Sequence, residues 1–128
     1  MAQFLLDTHT LIWYLTDAPD LSKKVKKNIE NPENQIVVSI VSFWELAVKI
    51  NIGKLKLSYS LQEIIQEVEK LSIEILEIKP VHLFSLLELP LHHRDPFDRL
   101  LIAQAQSENL ILLSKDENFP LYDVVVNW

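Results

Sequence analysis

Three short apolar runs in this chain each lead to a carboxylate, and that recurrence limits what the chain can fold into. Asp7 ends Phe4-Leu5-Leu6, Asp116 follows Ile111-Leu112-Leu113-Ser114, and Glu45 follows Ile36-Val37-Val38 at one helical turn past Ser42. Runs of this length read as buried strands, and helical patterns separate them. Strands alternating with helices imply βαβ units and a mainly parallel sheet with helices on both faces. In a parallel sheet every strand exits on one edge, where open α/β sheets bind ligands. Carboxylates gathered there would repel one another, so a proton or a cation must neutralise them. Hard divalent ions such as Mg²⁺ or Mn²⁺ take oxygen ligands and suit such a cluster.

The longest motif is His93-Arg94-Asp95-Pro96-Phe97-Asp98-Arg99-Leu100-Leu101-Ile102-Ala103. Asp95 followed by Pro96 is a helix start: an N-cap side chain, then a residue with its φ preset for the first turn. Asp98 falls in that first turn, near the positive end of the helix dipole. Taken alone, both acids can be explained as helix-capping groups. The recurrence of acids at the other strand exits favours a shared site instead.

At 128 residues, 48% hydrophobic and 23% charged, the chain is expected to be one globular domain spanning residues 1–128. It has no cysteine, which excludes disulfides, thiolate zinc sites and a cysteine nucleophile, and fits a reducing cytoplasm. No apolar run is long enough for a membrane span and no signal peptide is read. The net charge of −6 argues against a protein that merely coats nucleic acid, but not against a nuclease whose metal inverts the local field. Gly53 is the single glycine, so the glycine-rich phosphate loops of nucleotide-binding folds are absent.

In order, residues 3–7 are expected to form a strand, followed by a short helix through Leu11, Ile12, Trp13 and Leu15. After a turn at 17–20, a helix runs from Leu21 to Glu30 with Ser22 as a possible cap. Its Lys23, Lys24, Lys26 and Lys27 can touch phosphates, although lysines on a surface helix are ordinarily only solvated. Ile36–Ser39 is the next strand. Ser42-Phe43-Trp44-Glu45 reads as a capping box opening a helix to about Ile52, which Gly53 ends. Leu61–Leu71 is an amphipathic helix, Ile73–Ile78 an edge-like strand, and Pro80–Leu87 a short helix. A helix from Pro96 to about Glu108, a strand at Ile111–Leu113 and a final strand at Val124–Val126 complete the chain.

Carboxylates that hold Mg²⁺ suit phosphodiester hydrolysis without a covalent nucleophile. Since Mg²⁺ keeps several waters, one or two carboxylates suffice, and Asp7 and Asp98 are the expected direct ligands. Glu45 and Asp116 would be direct or water-mediated ligands, or would orient the attacking water. Glu45 has an alternative role in the capping box. Ser114 is either an auxiliary hydrogen-bonding group or a turn hydroxyl. Arg94, Arg99 and Lys115 flank the acids and are candidate RNA contacts, or simply balance charge. His9, His92 and His93 match no zinc spacing and read as surface or loop histidines.

At four stretches the sequence resembles PIN-domain proteins, specifically the VapC-type toxins of bacterial toxin–antitoxin pairs. These are Leu5-Leu6-Asp7-Thr8-His9, Ser42-Phe43-Trp44-Glu45-Leu46-Ala47, the block from His93 through Ala105, and Ser114-Lys115-Asp116. They span nearly the whole chain, in the family's order. The resemblance implies a three-layer fold with a five-stranded parallel sheet, and a Mg²⁺- or Mn²⁺-dependent endoribonuclease acting on structured RNA such as tRNA or ribosomal RNA. It implies a cognate antitoxin that blocks the site, and commonly a homodimer. The family's acids map onto Asp7, Glu45, Asp98 and Asp116, with Ser114 at the hydroxyl position two before the last, and Asp95 as an extra acid that serves as the helix cap. An antitoxin needs an apolar landing surface, for which Trp13, Trp44, Leu46 and Ile50 are candidates; core packing is the alternative, and is favoured for Phe43.

Two other readings compete. A dehalogenase-type phosphatase wants a second Asp two after the first, where this chain has His9, and a phosphoaspartate receiver wants an Asp ending its middle strand, where the run to Ile78 continues into Lys79-Pro80. A non-catalytic interaction module of the same fold would lack part of the acidic set, and none is missing.

Overall fold

The computed structural model describes residues 1–128. The elements are β1 (Gln3–Leu6), α1 (Thr8–Leu15), α2 (Lys23–Glu30), β2 (Gln35–Ser39), α3 (Ile40–Asn51), α4 (Leu61–Lys70), β3 (Glu74–Leu76), α5 (Pro80–Leu87), α6 (Pro96–Glu108), β4 (Ile111–Leu113), a 3₁₀ turn at Phe119–Leu121 and β5 (Val126–Asn127). The strands form one sheet in the order β3-β2-β1-β4-β5, with every pairing parallel.

The period-two alternation of the strands sorts the core onto two faces. Phe4, Leu6, Ile36, Val38 and Leu113 point one way and pack with Leu11, Val25, Ile29, Ile64 and Val68 from α1, α2 and α4. Leu5, Val37 and Leu112 point the other way and pack with Leu100, Leu101, Ile102 and Ala105 from α6, and with Phe119. The result is the three-layer α/β fold expected from the sequence. Both outer strands are short, and β3 is at an edge, as its alternating glutamates suggest.

Two local expectations are corrected. Helix α3 starts at Ile40 with Ser39 as its N-cap, whose Oγ accepts the Val41 N–H at 3.0 Å. There is therefore no Ser42–Glu45 capping box. The strand passes directly into the helix, and Ser42 lies inside it, fully buried. The last strand is two residues, Val126–Asn127, set by pairing with Leu112 and Leu113 rather than by the valine run at 124–126. Gly53, just after α3, has φ +75°, the left-handed geometry that ends helices.

Candidate functional site

Asp7 leaves the centre of the sheet, because β1 lies between β2 and β4. It is 5% exposed and is also the N-cap of α1: Oδ1 accepts the Thr10 N–H at 2.7 Å. The pairing of Leu6 with Leu113 brings Ser114 alongside, and its hydroxyl donates to Asp7 Oδ2 at 2.6 Å. Ser114 Oγ in turn accepts the Asp116 N–H at 3.0 Å, which bends the loop and places Asp116 beside Asp7. Burial raises the Asp7 carboxyl above its ordinary pKa, against the hydrogen bonds from Ser114 and Thr10.

Glu45 enters from α3, with 3% exposure. Thr8, the residue after Asp7, donates its hydroxyl to Glu45 Oε1 at 2.6 Å and lies 3.0 Å from Ser42 Oγ. Lys49, one turn along α3, forms an ion pair with Glu45 Oε2. Burial works against the Lys49 ammonium, but its hydrogen bond to Glu45 and the nearby Glu45, Asp95 and Asp98 carboxylates outweigh that and raise its pKa.

Asp98 enters from the first turn of α6. Asp95 is the cap: its Oδ1 accepts the N–H groups of Phe97 at 2.9 Å and Asp98 at 3.1 Å. Asp98 Oδ2 lies 3.3 Å from His93 Nε2. Its carboxyl is pushed up to about 8, first by burial and then by repulsion from Asp95, Asp116, Glu45 and Asp7. Acids distant in sequence thus lie within electrostatic reach of one another.

A small cavity of about 200 Å³ opens between Asp7, His9, Trp13, Lys115 and Asp116. A larger one, about 820 Å³, lies at the opposite end of the strands beside Glu30, Gln35 and Glu74 and touches none of the candidate site residues. No three His, Asp or Glu side chains are drawn close enough to cage an ion unaided. Mutual repulsion opposes tighter approach, and a hydrated hard cation needs only one or two carboxylates. The donor set is all oxygen, which suits Mg²⁺ or Mn²⁺ rather than a soft metal.

The flanking candidates divide. Lys115 is exposed, with Nζ 5.9 Å from the centroid of the Trp13 ring, at the mouth of the cavity. Arg94 is exposed. Arg99 is instead tied down, donating to Pro90 O at 2.8 Å and to the Tyr122 hydroxyl at 3.1 Å, so its guanidinium braces the loop rather than facing solvent. Trp44 is 47% exposed, edge-on to Phe97, and Ile50 is 37% exposed. Trp13 is half-buried between His9 and Trp128. Leu46 is a correction: at 1% exposure it belongs to the core with Phe43 and offers nothing to a docking partner.

Four contributors escaped sequence reading: Thr8, Lys49, His93 and Tyr122. The spacing of Glu45 and Lys49 by four on a helix is a readable ion-pair signal. The others meet their partners only through the fold.

By sequence, residues 4–125 match the PIN domain family. A search among curated proteins finds no match. Among solved structures, the chain is similar to VapBC2 from Rickettsia felis bound to a DNA fragment from their promoter, with TM-score 0.74 and 19% identity over 98% of this chain and 97% of that one. It is similar to DNA-bound VapBC from Salmonella typhimurium, with TM-score 0.69 and 18% identity over 99% and 98%. A toxin–antitoxin complex from Klebsiella pneumoniae gives TM-score 0.60 and 19% identity over 93% and 90%. No helix of the chain is long and apolar enough to cross a membrane. With the match covering nearly every element that builds the acidic pocket, the chain belongs to the PIN domain family.

Proposed function

We propose that this chain is a Mg²⁺- or Mn²⁺-dependent endoribonuclease, the VapC-type toxin of a toxin–antitoxin pair, acting in the cytoplasm. The reading is supported by the placement of Asp7 and Asp116 on one small cavity, with Glu45 tied to Thr8 beside Asp7 and Asp98 within electrostatic reach of all three. The toxin role draws support from structural neighbours described as VapBC and toxin–antitoxin complexes.

Asp7 and Asp98 would hold the ion, presenting oxygen from the central strand and from the α6 N-terminus. A divalent cation bound there supplies Lewis acidity and positive charge against the phosphodiester. Ser114 fixes the rotamer of Asp7. Glu45, clamped by Thr8 and Lys49, and Asp116, in the open loop, orient solvent around the ion. Lys115 and Arg94 face the polyanionic substrate, such as tRNA or ribosomal RNA.

The exposed Trp44 and Ile50 on α3 suit a cognate antitoxin laid across that helix. On the α5 side, Phe84 and Leu87 are 65% and 84% exposed, which supports a homodimer packed through that helix.

The test is cleavage of RNA with and without Mg²⁺ by wild type, Asp7→Asn and Asp98→Asn. Both variants should stay folded and fall to background. Cleavage by the wild type in excess chelator would refute the metal-dependent reading. Inactivity of the wild type towards RNA in Mg²⁺ and Mn²⁺ would leave a non-catalytic interaction module.

A further inference from the structure

We propose that His93 is a positioning residue for Asp98, held by Tyr122 as the tautomer whose Nε2–H points at the Asp98 carboxylate. The inference rests on Asp98 being a site acid, as proposed above, and deepens that reading.

Tyr122 is 5% exposed, and its hydroxyl oxygen has three polar neighbours. The backbone N–H of His93 donates to it at 3.2 Å. Arg99 Nη1 donates to it at 3.1 Å. His93 Nδ1 lies 2.7 Å away. A phenol has one hydrogen and two acceptor lone pairs. The backbone amide and the guanidinium can only donate, so they take both lone pairs. The hydroxyl hydrogen is left for Nδ1, which is therefore the bare, accepting nitrogen. A neutral imidazole then carries its proton on Nε2, and that N–H donates to Asp98 Oδ2 at 3.3 Å.

The lock is itself anchored. Arg99 also donates to Pro90 O at 2.8 Å, which holds the loop before His93 against α6. Tyr122 packs edge-on to His93, with ring centroids 5.4 Å apart. The consequence for the site is geometric. One oxygen of Asp98 is engaged by His93, which fixes the rotamer of that carboxyl group. Groups in this supporting position typically contribute about 10–100-fold in metal affinity.

The experiment uses the whole chain, with histidine labelled by ¹⁵N, and begins without metal. Long-range ¹H–¹⁵N spectra should show His93 as the Nε2–H tautomer. Tyr122→Phe should convert it to a mixture, and Asp98→Ala should shift Nε2 while leaving Nδ1 bound to the phenol. Mg²⁺ and Mn²⁺ binding by calorimetry then reads the positioning role. His93→Ala should weaken binding about tenfold or more, and His93→Gln, whose amide N–H reaches the Nε2 position, should recover most of that loss. A protonated Nδ1 in the wild type would overturn the proposal, as would unchanged metal affinity in His93→Ala or failure of Gln to rescue where Gln is folded. If the wild type binds neither ion, the metal reading falls separately, and the tautomer with its response to Asp98→Ala still decides the contact.

Discussion

Between α5 and α6 lies a second buried polar cluster, and it differs from the acid pocket in how charge is treated. His82 is fully buried there, with Nδ1 accepting the Lys79 N–H at 3.0 Å and Nε2 lying 2.8 Å from Glu108 Oε2. Gln104, also fully buried, accepts the Ser39 hydroxyl at 2.5 Å and donates to Glu77 O at 3.3 Å. Donors meet acceptors throughout, and Lys79 Nζ lies 4.0 Å from Glu108. The acid pocket is just as well hydrogen-bonded, since no buried side-chain polar atom lacks a partner anywhere in the chain. What it lacks is enough positive charge. Lys49 serves Glu45, while no Lys or Arg pairs with Asp7 or Asp98. Hydrogen-bond completeness therefore does not separate the two clusters; uncompensated charge does.

The largest expected contrast comes from removing one member of each cluster. Asp98→Asn should abolish Mg²⁺-dependent cleavage yet, above about pH 8 where Asp98 is ionised, raise the melting temperature of the metal-free protein, because it removes a charge that its neighbours oppose. His82→Ala should do the reverse. It strips partners from buried Gln104 and from Glu108 and should cost about 2–3 kcal/mol by urea denaturation, with cleavage per folded molecule retained. A stability loss in Asp98→Asn would break the contrast.

A smaller effect is expected in pH dependence. Asp98 is raised from 3.8 to about 8, and Asp7 is raised in the same direction. A raised carboxyl means that the folded state keeps a proton the unfolded chain has released. Stability of the metal-free protein should therefore decline as pH rises from about 4 to about 8, through these groups. Added Mg²⁺ at pH 8 should restore it, and Asp98→Asn should flatten the slope. An unchanged slope in that variant, measured by thermal denaturation across the range, would remove Asp98 as its source.

The smallest effect separates the two acids of the α6 motif. Asp95→Asn keeps a capping oxygen and should leave stability close to wild type, whereas Asp95→Ala should cost about 1 kcal/mol. Metal affinity should survive in both. Loss of binding in Asp95→Asn would make Asp95 a ligand as well as a cap.

These differences also explain what could be read from the sequence. Helix α6 was legible to the residue because Asp95-Pro96 marks its start by local chemistry alone. The two-sided core was legible because short apolar runs alternating with helical patterns imply a parallel sheet covered on both faces. The start of α3 was not, because Ser39 and Ser42 are both good caps, and only the direct strand-to-helix passage chooses the first. Asp7, Glu45 and Asp116 could be named from their positions relative to strand exits, and Asp98 from the first turn of the helix that Asp95-Pro96 opens. Their supports could not, because Thr8 reaches Glu45 across 37 positions and His93 reaches Tyr122 across 29, without periodicity to announce either. Leu46 stood among the docking candidates with core packing as the alternative, and the packing of α3 against its neighbours put it inside.

The shortness of the outer strands has a consequence for the molecule in a crowded solution. β3 offers three residues and β5 two, so neither rim of the sheet presents a long ladder of free amides and carbonyls. A stray extended peptide finds no template there for strand addition. Self-recruitment into fibrils through the sheet margins is thereby discouraged, and any stable assembly has to be made by side chains on the helical surfaces.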